Sequence, residues 1–271
     1  MTASVAITSG LRILPAAALE VRRPQRMIER SAMVNRRTWL IMFSGFFEPL
    51  FYLMSIRIGV GELIGDVTVG GVTVDYAEFV APALLAASAM NGAIYETTMN
   101  VFFKMKYERL YDTVLATPMS PADVALGQIG WAVIRGGLYS TAFLVTMAAL
   151  GMTASPWVVL ALPFSVLIAF AFAATGMAIT TYMRSWVDFE YVTAATLPLF
   201  LFSATFYPVS SYGDWAWVVQ LSPLYHGVAL VRSANTGEFG WATLGHIAVL
   251  VVMTIGGLIV AAKRIRTLLL K

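Results

Sequence analysis

The sequence contains no cysteine and only two histidines, His226 and His246. Disulfides, thiolate metal sites and cysteine nucleophiles are therefore excluded, and a histidine-rich metal centre lacks ligands. Charge is scarce as well. Asp, Glu, Lys and Arg make up 12% of the 271 residues, about half the share of an average soluble domain. No G-x-x-x-x-G-K-[ST] or G-x-G-x-x-G phosphate loop occurs, nor a G-x-S-x-G elbow, nor H-E-x-x-H. Nothing in the chain can hydrolyse ATP, so any process it performs at the expense of ATP needs a second polypeptide.

What is abundant is apolar surface. Apolar residues reach 59% and the mean hydropathy is +0.76. Too few polar side chains remain to cover a globule in water, which excludes soluble, fibrous and disordered classes. The apolar runs are long and unbroken, unlike the short alternating strands of a membrane barrel. The expected fold is an all-α integral membrane protein with six transmembrane helices and both termini cytoplasmic.

A spanning helix needs about 20 mostly apolar residues. The expected spans are residues 39–58, 77–98, 121–151, 157–183, 191–207 and 241–262. From Gly136 to Met183 no side chain is charged. That stretch is too long for one span, and Ser155-Pro156 supplies the turn that divides it. Residues 1–38 are a cytoplasmic tail and interfacial helix, 39–262 the membrane domain, and 263–271 a second cytoplasmic tail. In this layout 15 of the 18 Lys and Arg residues fall on one side and only Arg232 in the opposite loops. Arg57 and Arg135 lie within spans. The asymmetry fits the positive-inside rule. It also explains the basic residues as markers of orientation, so no nucleic-acid partner is implied.

The N-terminus is not read as a signal peptide, because Arg22, Arg23, Arg26 and Arg30 follow the weak apolar run instead of preceding it. Residues 1–19 are expected to be a flexible tail. Residues 25–37 suit a basic helix on the membrane surface with Met27, Ile28 and Val34 toward lipid, or else a solvated linker.

Between spans two and three, Leu110, Tyr111, Val114 and Leu115 recur at helical spacing and Pro118 ends the pattern. Ser120-Pro121-Ala122-Asp123 then has the form of a helix start. A short amphipathic helix joined to a capped span could receive force from a partner, or it could be an ordinary interfacial loop. On the outer side, Val67–Val74 reads as a β-hairpin. The 208–240 segment, with Tyr212, Trp215, Trp217, Tyr225 and Phe239 and a helix start at Ser222-Pro223, suits two short helices dipping into the outer leaflet.

A lone charge at mid-membrane costs at least about 2.5–3.5 kcal/mol, so such residues seek partners. Glu48 in span one and Arg135 in span three could pair with each other. Alternatively, Glu48 is protonated and Arg135 reaches toward an interface. Asn91, Glu96, Thr98 and Asn100 form a polar stripe at the inner end of span two, suited to hydrogen bonding between helices or to substrate contact.

Three stretches resemble a known family. The first is Phe47-Glu-Pro-Leu-Phe-Tyr-Leu53 with Gly59-Val-Gly61. The second runs from Phe79-Val-Ala-Pro82 through Ala86–Asn91 and Glu96-Thr-Thr98 to Tyr107–Asp112 and Leu115-Ala-Thr-Pro118. The third is Leu221–Gly227 with Leu230-Val-Arg232. Together they resemble the permease subunits of type-2 ATP-binding-cassette exporters, in the nodulation-factor (lipo-oligosaccharide) branch, across residues 36–262. Arg57 and the long N-terminal tail depart from the family pattern.

The resemblance implies a transport subunit that is not itself an enzyme, in the bacterial cytoplasmic (inner) membrane. It implies two ATPase subunits carrying ATP and Mg, a second permease subunit (identical or related), and membrane lipid as surroundings. It places the ATPase contact at Tyr107, Glu108, Arg109, Leu110 and Asp112. The cargo would be lipid-linked, a glycolipid or an amphiphilic drug-like molecule moved outward. The alternatives are a proton-coupled transporter using Glu48 and Arg135, and a membrane-embedded transferase built on His226 and Asp214.

Overall fold

The computed structural model describes residues 16–36, 47, 50–69 and 72–269. The elements follow in chain order. Helix α1 is Ala16–Asn35. Residues 50–64 are helical, with a π-helical turn at Ile56–Val60. Strands β1 (Asp66–Val69) and β2 (Val72–Asp75) lead into α2 (Tyr76–Tyr95), a π-helical turn at Glu96–Asn100 and α3 (Val101–Lys106). Then come α4 (Leu110–Leu115), α5 (Pro121–Ala149) and α6 (Ala161–Thr180). Last are α7 (Asp188–Leu201), α8 (Ala216–Gln220), α9 (Pro223–Thr236) and α10 (Trp241–Leu269).

Among the described residues, four helices are long and apolar enough to cross a membrane: Tyr76–Lys106, Pro121–Ala149, Pro156–Thr180 and Trp241–Leu268. They correspond to the expected spans two, three, four and six. The second and sixth continue beyond their expected ends at 98 and 262. Half of span one, Glu48 included, lies outside the described residues. Its described end passes 58 and continues to Ile64.

The fifth expected span, 191–207, is not one continuous helix. Helix α7 stops at Leu201, and its 14 residues reach about 21 Å, short of the roughly 30 Å hydrocarbon core. Beyond it Ala204 adopts φ 55°, a left-handed conformation that ends any helix. Its carbonyl is satisfied from elsewhere: Arg232 Nη2 on α9 donates to Ala204 O at 3.0 Å and to Phe79 O at 3.3 Å. The Ala204 carbonyl thus bonds a guanidinium, and the same guanidinium reaches Phe79 O inside α2.

Helix α2 is the centre of the bundle, with α5, α6 and α9 packed around it. Its sequence of small residues, among them Ala81, Ala86, Ala89 and Gly92, lets neighbouring backbones approach closely. One close crossing is at Gly136 of α5. A Cβ there would lie 2.9 Å from Ala169 Cβ on α6 and 3.3 Å from Ala89 O on α2. Three helices therefore meet where no side chain larger than hydrogen fits.

The turns follow their local chemistry. Ser120 and Asp123 form a capping box at the start of α5, satisfying two backbone amides reciprocally. Ser155 caps the 3₁₀ turn Pro156–Leu160 that begins the fourth span. The expected hairpin is present, pairing Val67 with Val74 and Thr68 with Thr73. Asp75 closes it and caps α2 through Ala77 N at 2.8 Å. The 208–240 segment contains a 3₁₀ turn at Val209–Trp215 before α8 and α9. Leu224, Val228, Leu230 and Val231 of α9 are buried in the core.

Helix α1 corrects a second expectation. It begins at Ala16 and runs through Pro24. Met27 and Ile28 face protein, not lipid. Met27 is 2% exposed, and a Cβ at Gly127 would come within 2.4 Å of Met27 Cβ. A Cβ at Gly130 would lie 2.8 Å from Ile28 Cδ1. The two glycines hollow the flank of α5 and α1 fills it, while Met33 and Val34 stay exposed.

Candidate functional site

The polar stripe at the inner end of span two folds into a buried charge cluster. Glu96 opens the π-helical turn, whose extra residue per turn re-aims side chains. Its Oε2 accepts from Arg135 Nη1 of α5 at 2.6 Å and from Asn100 Nδ2 at 2.7 Å. Its Oε1 accepts from Lys104 Nζ of α3 at 3.3 Å, and Lys104 also donates to Gln128 Oε1 at 3.1 Å. Arg135 Nε donates to the Tyr139 hydroxyl at 2.8 Å, and its guanidinium lies 5.8 Å from the Tyr95 ring centre. The Glu96 side chain is 1% exposed and that of Arg135 10%.

Arg135 therefore pairs with Glu96, across α2 and α5. The pairing expected for it, Glu48, lies outside the described residues. Thr98 bonds within its own helix, to Ile94 O at 2.6 Å. Asn91 is not part of the cluster. It is exposed and lines a groove of about 180 Å³ with Tyr52, Ser88, Thr193, Thr196 and Phe200. Sequence reading missed Lys104, Gln128 and Tyr139. Lys104 follows Glu96 by eight residues, about two helical turns, a spacing that could have revealed it.

The second candidate region follows directly. At the end of α3 the chain turns through Tyr107, Glu108 and Arg109, all exposed. Arg109 stands at φ 47°, ψ 30° as the residue before α4. A left-handed arginine is uncommon outside special sites. It redirects the chain so that α4 presents Asp112 outward while Leu110 is half-buried and Tyr111 is buried. Burial pushes the Tyr111 hydroxyl well above its ordinary pKa, and nearby Glu96 pushes the same way. Tyr111 thus stays neutral and anchors α4 beneath the charge cluster.

His226 and His246 meet across α9 and α10, with Nδ1 atoms 2.7 Å apart. The hydrogen-bond partner of His226 is thus an imidazole and not Asp214, the acid the transferase alternative required. No group of three His, Asp or Glu that could hold a metal occurs among the described residues.

A central helix of small residues, a buried ion cluster at its inner end and an exposed helix hung from it are the setting for the comparison with known proteins. The ABC-2 type transporter family matches residues 25–236. The chain belongs to that family. It is similar to Nodulation protein J of Sinorhizobium fredii, 30% identical over 210 residues, 77% of this chain and 79% of that protein. Nodulation protein J of Rhizobium leguminosarum bv. trifolii is 30% identical over 226 residues, 83% and 85% of the two chains. The inner membrane transport permease YadH of Escherichia coli is 26% identical over 206 residues, 74% of each. This ABC-2 permease is a multi-pass membrane transport subunit, and its family implies ATPase partners.

Proposed function

We propose that this permease exports an amphiphilic cargo, lipid-linked, glycolipid or drug-like, driven by ATP hydrolysis on two separate ATPase subunits. Those subunits carry the ATP and Mg and dock on Tyr107, Glu108, Arg109, Leu110 and Asp112. The observation that carries this reading is the break at Arg109. It leaves a charged, exposed segment joined by short turns on one side to the end of the buried central helix and on the other to the capped start of α5. A push on this segment reaches the membrane core through those short turns.

The groove lined by Asn91 supports the cargo class. Hydroxyls and an amide sit beside the Tyr52 and Phe200 rings, a mixture that suits a molecule with hydrogen-bonding and apolar parts. In this reading the chain crosses the membrane six times, the fifth crossing being completed by the non-helical chain that follows the 14-residue α7, with 39–262 as the permease domain and residues 1–38 and 263–271 on the cytoplasmic side of the bacterial inner membrane. A second permease subunit, identical or related, completes the path.

The test is vanadate-sensitive ATP hydrolysis and outward transfer of a fluorescent short-chain lipid in vesicles holding the purified complex. Charge reversal at Glu108→Lys and Arg109→Glu abolishes both, and Thr73→Ala in the hairpin leaves both intact. Hydrolysis that survives the double reversal overturns the docking assignment.

A further inference from the structure

Five aromatic rings cluster where α3 meets the turn before α7. Phe103 lies edge-on to Trp186 with centroids 5.0 Å apart, and Phe102 to Phe189 at 5.2 Å. Trp186 and Phe189 are 4.9 Å apart. Tyr107, the first residue of the proposed docking segment, joins through Phe103 at 5.1 Å and Phe102 at 6.2 Å. Edge-to-face and tilted pairs at these distances are directional contacts beyond simple burial. Phe102, at 1% exposure, roots the cluster in the core.

Helix α7 is held mainly at its ends. None of its residues is buried. Its inner end is set by the ring cluster and by Asp188, whose Oδ2 accepts from the Arg184 and Ser185 amides at 2.6 and 3.0 Å. Farther along, Thr193, Thr196 and Phe200 form one wall of the groove that also holds Asn91. The far end of α7 packs on the core through Leu199 and Phe200, the latter edge-on to Tyr52 and Phe206. The helix is thus held at its two ends with an exposed middle, and a shift of its start tilts the middle of the helix. The clamp at its start is made of the same rings that hold Tyr107.

We propose that this cluster, with Trp186 and Phe103 as its positioning residues, transmits motion of the docking segment to α7 and thereby widens the groove. The inference rests on the docking assignment above and adds the route from the docking segment to the cargo groove. Because Tyr107 and Trp186 both pack on Phe103, displacement of the 107–112 turn drags the start of α7 without any change in the Glu96–Arg135 pair.

The chain has no cysteine, so single reporters can be placed cleanly. A bimane fluorophore is attached at T113C on α4, or at A194C on α7, and the permease is then assembled with its ATPase partner in nanodiscs. Addition of ATP, Mg and vanadate shifts the emission of both reporters. Trp186→Ala keeps the T113C shift, while the A194C shift falls about tenfold, the scale of losing two ring contacts. Trp186→Phe restores it, which a merely structural loss of the α7 start would not require. Phe103→Leu gives the same split and serves if Trp186→Ala fails to assemble. An undiminished A194C shift in the assembled variants overturns the transmission route alone. Absence of the T113C shift in the parent chain overturns the docking assignment and this route with it.

Discussion

Arg135 Nη1 donates to Glu96 Oε2 at 2.6 Å, joining α5 to the π-helical turn that interrupts the central helix. The bond closes a cluster in which one carboxylate faces two cations, Arg135 and Lys104. Removing either partner of a buried pair strands the other, whereas removing both does not. Arg135→Ala should lower stability by about 3–5 kcal/mol, read from the unfolding midpoint in detergent. Glu96→Gln combined with Arg135→Gln should cost less than the sum of the two single changes. A strictly additive result would mean that the two side chains do not interact.

Gly127 is where α1 touches α5. A Cβ there would overlap Met27 Cβ at 2.4 Å and approach Pro24 O to 3.0 Å. Gly127→Val should therefore force α1 off the bundle, at a cost of roughly 1–3 kcal/mol for overpacking. Trypsin cleavage between Arg23 and Arg36 should accelerate severalfold while the rest of the chain keeps its resistance. Equal cleavage rates in parent and variant would contradict the packing of Met27.

Arg232 ties α9, α2 and the chain after α7 together through Phe79 O, Ala204 O and the Phe79 ring, 4.1 Å from its guanidinium carbon. Arg232→Met takes that donor from Ala204 O, which lies outside any helix, at a cost of about 1–3 kcal/mol if the group is left buried and unsatisfied. Hydrogen exchange should quicken across 202–208 and at the start of α7's following turn. An unchanged exchange pattern would show that this carbonyl finds another donor.

Asp188 gives a pH dependence of known sign. The amides of Arg184 and Ser185 bond its ionised form and hold its pKa below the ordinary carboxylate value. A depressed folded pKa means the contribution is present above the unfolded carboxylate pKa and is lost as pH falls through the folded one. Exchange protection of the Arg184 and Ser185 amides should therefore be full near neutrality and vanish in acid. Asp188→Asn should weaken it and remove the pH dependence. Protection that persists unchanged in acid would contradict the cap.

Local chemistry was legible from residue order alone. The Ser120–Asp123 cap, the turn at Ser155-Pro156, the hairpin around Val67–Val74 and the helix start at Ser222-Pro223 each depend on neighbours a few positions apart. Four of the long spans were equally legible, because length and apolarity are properties of a contiguous segment. Pairings between distant segments were not. Glu96 as the partner of Arg135, Lys104 drawn inward, Met27 set against Gly127 and the early end of α7 all depend on which helix faces which. Apolar periodicity is nearly silent on that inside a membrane protein, where lipid-facing and protein-facing surfaces are both apolar.

The sequence by itself determined that this chain is a membrane protein and that it resembles the ABC-2 transporter permeases. These follow from composition and contiguous stretches. Only the tertiary structure decided where the buried charges neutralise one another and how rings from two loops come together. Those outcomes turn on contacts of a few ångströms between residues tens of positions apart, and on small residues such as Gly127 and Gly136 whose effect is the space they leave.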